Sequence, residues 1–353
     1  MDRTAIVYSD EIAEYDFGAD HPFRGDRFPR YMKLLKDKGL FLRPEISLLE
    51  ADAADDRDLS LAHSDDYISR VEILAERGVP LSADTPLNPA IVRAARYIVG
   101  AALRAGELVA GGGFAVGQGV GGGLHHAGRD YGGGFCVFND VAVCARALIE
   151  RRGLERVMIF DTDAHAGNGT MDIFYREPRV LYISVHQDPR TIYPGTGFVD
   201  QIGAGDGEGY TVNVPLPPRA DDACMRLVLE RVFKPIAREL RPDIIIRNGG
   251  SDPHHRDGLA NLGLTFMGLR SIGMAVREAT AAAGCGIVDL CCSGYNPETV
   301  AEGWLSILSG EIRADINIVD GLQESSLNPG LLKVTEGVIE NLRHKLNGYW
   351  HLD

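Results

Sequence analysis

The run Val157-Met158-Ile159-Phe160 is apolar at every position and breaks off into Asp161-Thr162-Asp163-Ala164-His165. A strand apolar on both faces must be covered on both, which is the mark of a parallel sheet rather than a half-solvated antiparallel one. Similar runs stand at Thr4–Tyr8, Phe114–Gly117, Val180–Val185, Asp243–Arg247 and Ile287–Leu290. Between them lie segments of helical period: Pro89–Ala110, Asp140–Arg152, Asp222–Leu240, Phe266–Ala283 and Leu331–Leu346. Strands alternating with helices predict an α/β fold, a mostly parallel sheet with helices on both faces. No stretch has linker character, so residues 1–353 are expected to form a single domain. Gly203–Gly209 reads as a loop and the acidic piece Glu50–Asp58 as a solvated connection.

Composition narrows the function. The chain has 353 residues, 45% of them apolar, and can bury a large core; disorder, collagen and coiled coil are excluded. Lys and Arg number 36 against 50 Asp and Glu, a net charge of −14. No direct nucleic-acid binding is expected of such a surface, because phosphate contacts need clustered cations. The 42 glycines are about 12% of the chain against a usual share of about 7%, which predicts that some backbone approaches a ligand or another chain closely. The six cysteines include no CxxC pair. The segment Ile91–Val109 is interrupted by Arg93, Arg96, Arg104 and Glu107, so no membrane association is expected. Met1-Asp2-Arg3-Thr4 lacks the head of a secretory signal, and the expected location is the cytoplasm. The sequence does not indicate an oligomeric state.

In open parallel sheets, ligands bind beyond the carboxyl ends of the strands. Those ends carry Gly121-Gly122-Gly123-Leu124-His125-His126, Asp161-Thr162-Asp163-Ala164-His165, Asn248-Gly249-Gly250-Ser251-Asp252 and Ser293-Gly294-Tyr295. If the chain stays extended after Phe160, Asp161, Asp163 and His165 project to one side. Their like charges repel unless a cation offsets them, and Asp with His is a ligand pair for zinc and similar divalent metals. The plainer reading, a helix N-cap beside a surface histidine, stays open at this point. Asp252 offers a third ligand, and two Asp with one His match a catalytic rather than a structural zinc site. His125 and His126, being adjacent, point apart; they suit base and acid beside a metal-bound water, or one core and one surface histidine. Gly117-Gln118-Gly119-Val120-Gly121-Gly122 fits the dinucleotide-binding GxGxxG. It leads into more glycine instead of the helix such a motif must open, and is discounted. Tyr295 can donate its hydroxyl to a developing oxyanion, or simply pack.

Taken together, the motifs resemble the histone deacetylase family, in the prokaryotic branch with the acetoin-utilisation proteins and acetylpolyamine amidohydrolases. The resemblance rests on Gly122-Gly123-Leu124-His125-His126-Ala127, on Gly134-Phe135-Cys136-Val137-Phe138-Asn139-Asp140, and on Asp161-Thr162-Asp163-Ala164-His165-Ala166-Gly167-Asn168-Gly169. Tyr193-Pro194-Gly195-Thr196-Gly197 and Gly250-Ser251-Asp252 follow in the family's order, and the likeness runs from His21-Pro22 to about Trp304. It implies the arginase/deacetylase fold, a three-layer α/β sandwich. It also implies a zinc-dependent amidohydrolase acting on acyl-lysine peptides or acylated polyamines, with ferrous iron as the alternative metal. By the resemblance, Asp163, His165 and Asp252 hold the metal. His125 and His126 are the tandem acid and base, oriented by Asp161 and Asn168, and Tyr295 polarises the carbonyl. Phe135 and Tyr193 are the walls of the acyl-lysine channel, with Gly134 beside them. Asp84 is the rim carboxylate, and Arg27 lies near the inner acetate cavity. A structural potassium ion would use Asp161, Asp163, His165 and Ser184, and a second would lie near Phe174, Val180 and Tyr210.

Two departures stand out. Asn168 replaces the aspartate of many members, which lowers the expected basicity of His126. Cys291-Cys292-Ser293-Gly294 replaces a run of glycines ahead of the tyrosine, placing side chains where bare backbone lines the deep end of the pocket. Two other readings compete. A two-metal ureohydrolase of the arginase type needs bridging carboxylates where this chain has Gly167 and His254. A deacetylase-like binding protein without turnover rests only on the altered segment before Tyr295.

Overall fold

The computed structural model describes residues 3–318, 320 and 328–352. Met1 and Asp2, at the head of the stretch read for a secretory signal, lie outside the described residues. Among the described residues there are eight strands: β1 (Thr4–Val7), β2 (Ile46–Leu49), β3 (Val116–Val120), β4 (Val157–Asp161), β5 (Val180–Gln187), β6 (Thr211–Leu216), β7 (Ile244–Asn248) and β8 (Gly286–Cys291). They form one sheet in the order β2-β1-β3-β8-β7-β4-β5-β6. The expected α/β architecture is therefore present.

The chain divides into two compact units. The first comprises Met1–Leu154, Gly167–Ile173 and Val288–Cys292. Within it β1 pairs in parallel with β2 on one side and β3 on the other. Helix Pro89–Ala110 packs on β1 and β3. It begins as its sequence demands, with Asn88 capping the Ile91 amide and proline at the first helical position. The strand beneath it starts two residues later than expected, so that Gly117 and Gly119 fall within β3. A Cβ on Gly117 would lie 2.7 Å from the Ala105 carbonyl oxygen, and one on Gly119 would lie 3.2 Å from the Ala102 nitrogen. The glycine motif thus lets a helix rest directly on a strand. At these positions the close approach foreseen from composition is made by the chain's own helix and not by a ligand.

The second unit comprises Glu155–Ala166, Phe174–Ile287 and Ser293–Asp353. Here β4 pairs in parallel with β5 and β7, and β5 with β6. The expected helix Asp222–Leu240 is interrupted by a wider π turn at Leu229–Phe233, just ahead of Pro235, which has no N–H to continue the ladder. Helix Phe266–Ala283 packs on β7 and against helix Val300–Glu311. That second helix carries Glu311 toward Arg247 of β7, an ion pair at 3.7 Å with both side chains fully buried.

The strands β2 and β6 were not foreseen, and both lie at sheet edges. β2 is half exposed, and β6 contains Asn213 and Pro215, a proline being tolerated at an edge because no neighbour needs its amide. The acidic piece Glu50–Asp58 also differs from expectation. Asp55 and Asp58 form a capping box for the short helix Asp56–Leu59. Arg96 pairs with Asp56 and Arg151 with Asp58, so these acids are partnered, not merely solvated. Among the described residues no helix is long and apolar enough to cross a membrane.

Candidate active site

In the second unit β4 ends at Asp161, and the chain turns at once. The Asp161 carboxylate accepts the Asp163 amide at 3.1 Å, and Asp163 in turn accepts the His165 amide at 2.8 Å. These successive Asx turns bend the segment out of the extended form assumed above. Asp161 therefore does not project with the other two; its second oxygen accepts the Tyr182 hydroxyl at 3.0 Å. Asp163 and His165 meet Asp252, which follows β7. His165 Nδ1 lies 3.0 Å from Asp163 Oδ1 and 3.1 Å from Asp252 Oδ2. All three side chains are buried, and each offers a ligand atom within 4.8 Å of the others.

The electrostatics of this cluster fit a cation. Burial, and next the Asp163 charge, push the Asp252 carboxyl well above the usual carboxylate range. Burial would lower the His165 imidazole, but its bonds to Asp163 and Asp252 hold it up to about 10. Two buried carboxylates turned on one imidazole nitrogen form an anionic donor set of the kind that can hold a divalent ion. Asp252 is itself held: Oδ2 accepts the Ala164 amide at 3.0 Å and Oδ1 accepts the Ser293 hydroxyl at 2.7 Å. Tyr295 stands nearby, its ring edge-on to His165 with 6.3 Å between centroids. Its amide is anchored on Asp257 at 2.7 Å.

The first unit holds the two histidines, both buried, at the carboxyl end of β3. The glycine-rich loop that carries them is bolted by its neighbours. The Asp140 carboxylate accepts the Gly123 and Leu124 amides at 2.8 Å each. Gly122 makes this possible, since a Cβ there would sit 2.7 Å from Asp140 Oδ2. Burial pushes that carboxyl up to about 7, against the pull of the two amides. Asn139 donates to the Ala127 carbonyl at 2.8 Å, and the His125 carbonyl accepts the Thr170 amide at 3.0 Å. His63 closes the ring: its Nδ1 lies 2.9 Å from the Gly128 carbonyl, and its Nε2 accepts the Asn139 amide at 2.9 Å.

Within that frame His126 Nδ1 lies 2.7 Å from the Asn168 amide oxygen. The oxygen can only accept, so Nδ1 carries the proton and the lone pair of neutral His126 is on Nε2. The Nε2 atoms of His125 and His126 are 3.2 Å apart, and on this assignment His125 is the donor between them. Asn168 also donates to the Tyr131 hydroxyl at 3.3 Å, which fixes the amide's orientation.

The remaining expected residues lie as follows. Phe135 is in the left-handed region at φ 68°, its amide held by the Thr85 hydroxyl and its carbonyl accepting the Tyr15 hydroxyl. Its ring packs edge-on against His21 at 4.7 Å. Asp84 accepts from the Ser82 and Thr85 hydroxyls and from the Gly134 amide, so it braces the Phe135 loop. Arg27 is buried, stacked over Phe23, and donates to the Cys292 and Pro22 carbonyls at 2.9 Å. In the second unit Tyr193 is 47% exposed beyond β5. Ser184 bonds to His186 Nδ1 at 2.8 Å. The Phe174 carbonyl accepts the Glu177 amide, the Tyr210 carbonyl accepts the Tyr182 amide, and Val180 is buried at the start of β5. His63, Asp257 and the Ser293 hydroxyl escaped the sequence reading, since they act across long separations that no local pattern records. Asn139-Asp140 had a signal, an N-cap pair opening a helix.

A second group, His254, His255 and Asp320, also lies close enough for a metal. Its bonds describe a brace instead. His254 Nε2 pairs with Asp320 at 2.8 Å, Asp320 accepts the Phe266 amide at 2.7 Å, and the His254 ring stacks on Phe266.

The second unit thus offers a buried Asp-His-Asp donor set at strand ends, and the first a pair of histidines, one of them fixed by an amide. The match to known proteins is specific: residues 21–310 fit the histone deacetylase domain, and the chain belongs to the histone deacetylase family. It is 32% identical over 361 aligned positions to a probable deacetylase of Archaeoglobus fulgidus, covering 98% of each chain. It is 33% identical over 288 positions to the acetoin utilization protein AcuC of Staphylococcus aureus, covering 78% of this chain and 73% of the relative. Among solved structures the HDA15 HD domain superposes with a TM-score of 0.87 at 25% identity, covering 99% of this chain and 95% of that one. Membership makes the chain a deacetylase-type hydrolase of acetyl amides from a metal-dependent family.

Proposed function

We propose that residues 1–353 act as one zinc-dependent catalytic domain hydrolysing the amide of acyl-lysine peptides or acylated polyamine-like amines. Ferrous iron is the alternative metal. The observation that carries this reading is the buried cluster in which Asp163 and Asp252 both face His165 Nδ1. Asp163, His165 and Asp252 would hold the ion, which supplies a Lewis acid that acidifies a water and polarises the amide carbonyl.

This chain's side chains do the rest. His126 accepts the water's proton at Nε2, the nitrogen that Asn168 leaves as the lone-pair site. An amide partner stabilises the resulting imidazolium less than a carboxylate does, so His126 is a base of moderate strength. The protonated imidazole then donates to the leaving amine, while Asp161 orients His125. Tyr295 donates its hydroxyl to the oxyanion, and the hydrogen bond from its backbone N–H to the Asp257 carboxylate keeps the backbone that carries it in place. Phe135 and Tyr193 flank the aliphatic part of the substrate, with Gly134 and Asp84 at the rim and Arg27 behind the acyl group. Potassium, if bound, is structural at the carbonyls near Asp161 and Ser184. The net charge of −14 favours the approach of a cationic amine. A cytoplasmic location accords with six free cysteines.

Acetate release from a panel of acetyl-lysine peptides and acetylpolyamines tests the reading, with zinc-loaded wild type beside Tyr295→Phe and a chelated control. Release that needs metal and is lost in Tyr295→Phe is expected. No release from any acylated amine by metal-loaded protein overturns it.

A further inference from the structure

The segment Cys291-Cys292-Ser293-Gly294 places one polar side chain directly behind the metal cluster. Ser293 Oγ donates to Asp252 Oδ1 at 2.7 Å, with Ser293 2% and Asp252 0% exposed. The two oxygens of Asp252 are thereby divided. Oδ1 belongs to Ser293, whereas Oδ2 lies 3.1 Å from His165 Nδ1 and accepts the Ala164 amide. The serine cannot easily drift, because its own carbonyl is fixed twice, by the Ser251 amide at 3.0 Å and by Trp304 Nε1 at 2.7 Å. The backbone around it is close-packed as well: a Cβ on Gly250 would fall 2.0 Å from the Ser293 carbonyl oxygen.

We propose that Ser293 is a positioning residue whose hydroxyl holds Asp252 as a one-oxygen ligand and so sets the affinity and coordination of the bound metal. The proposal rests on the metal reading given above. Two physical effects follow from the bond. It blocks rotation of the carboxylate plane, so Oδ2 is the oxygen left on the His165 side to hold an ion. It also draws charge onto Oδ1, which reduces repulsion between Asp252 and Asp163 in a buried site. With the hydroxyl removed, Oδ1 loses its donor in a dry environment, and the carboxylate is free to turn and offer both oxygens or neither. Partners of this kind typically change metal affinity by about 10–100-fold.

The test uses full-length, metal-stripped protein titrated with cobalt(II), whose visible absorption reports coordination number as well as occupancy. Wild type is compared with Ser293→Ala, Ser293→Gly, Ser293→Thr and Asp252→Asn, each checked for native circular dichroism and thermal unfolding. Ser293→Ala and Ser293→Gly are expected to bind cobalt about 10–100-fold more weakly and with a weaker, higher-coordination spectrum. Ser293→Thr, which keeps the hydroxyl, should retain the wild-type spectrum. Cobalt affinity and spectrum unchanged in both Ser293→Ala and Ser293→Gly overturn the proposal. If instead Asp252→Asn binds as tightly as wild type, the metal reading itself fails, and the Ser293 proposal falls with it.

Discussion

The loop carrying His125 and His126 and the cluster of Asp163, His165 and Asp252 are both buried and both polar, yet they are held in opposite ways. Around the histidines neutral groups pair with one another, His63 with Gly128 and Asn139, Asn139 with Ala127, and His126 with Asn168, beside the Asp140 carboxylate that takes the Gly123 and Leu124 amides. Such a net fixes tautomer and direction before any substrate arrives. The cluster instead gathers two carboxylates on one imidazole and pushes Asp252 and His165 far from their ordinary protonation. On the function proposed above, the second is the arrangement that a cation would complete. The contrast would then separate metal holding from proton transfer, and substitutions should separate them too.

The largest effect is expected from Asp163→Asn. Removing one anion should cut metal affinity and acetate release on the order of a thousandfold or more. It should also raise the melting temperature of the metal-free protein, because the buried repulsion is relieved. Equilibrium dialysis and calorimetry measure both; a destabilised metal-free variant contradicts the view of the cluster as strained.

Substitution of His126 by alanine should divide the two functions most cleanly. Turnover is expected to fall by about 10²–10⁴-fold, the usual contribution of a positioned base, with metal content unchanged. Metal analysis beside the rate assay decides it.

His63 makes the neutral net acid-sensitive. Burial lowers its imidazole from 6.5 to about 4 in the folded chain. The unfolded chain therefore takes up a proton first, so the stabilisation is fully present above pH 6.5 and drains away as the pH falls to about 4. Over that window the loss amounts to about 3 kcal/mol. Urea melts between pH 7 and 4 should show this loss and should show less of it in His63→Gln.

The smallest effect belongs to Asn168→Asp. A carboxylate beside Nδ1 makes His126 more basic, so the acid limb of the kcat/KM profile should move to higher pH with less than about a tenfold change in maximal rate. An unmoved limb would place the titrating base elsewhere.

How far the sequence carries depends on the range of the signal. Pro89–Ala110, Asp140–Arg152 and Phe266–Ala283 were legible to the residue because caps bound a clean helical period: Asn88, Asn139 and Thr265 at the starts, Gly153 and Gly284 in the left-handed conformation at two of the ends. β2 and β6 were not legible, because an edge strand need not be apolar throughout. The gathering of Asp163, His165 and Asp252 could be read from residue type and place at strand ends. The Asx turns that swing Asp161 away could not, since extended and turned backbones share the same Asp-x-Asp-x-His pattern. Nor could the bond from Ser293 to Asp252, which spans two strand ends and depends on the close packing of Gly250 against residue 293.

The central claim, that the cluster and the histidine pair serve one amide hydrolysis, is tested most directly at matched metal occupancy. Wild type and His126→Ala would be loaded with zinc to the same content and given the best acetyl-lysine or acetylpolyamine substrate from the panel. Acetate release by wild type and its near-complete loss in the variant, with zinc still bound, are expected. Equal release by the two proteins, or none by either, would contradict it.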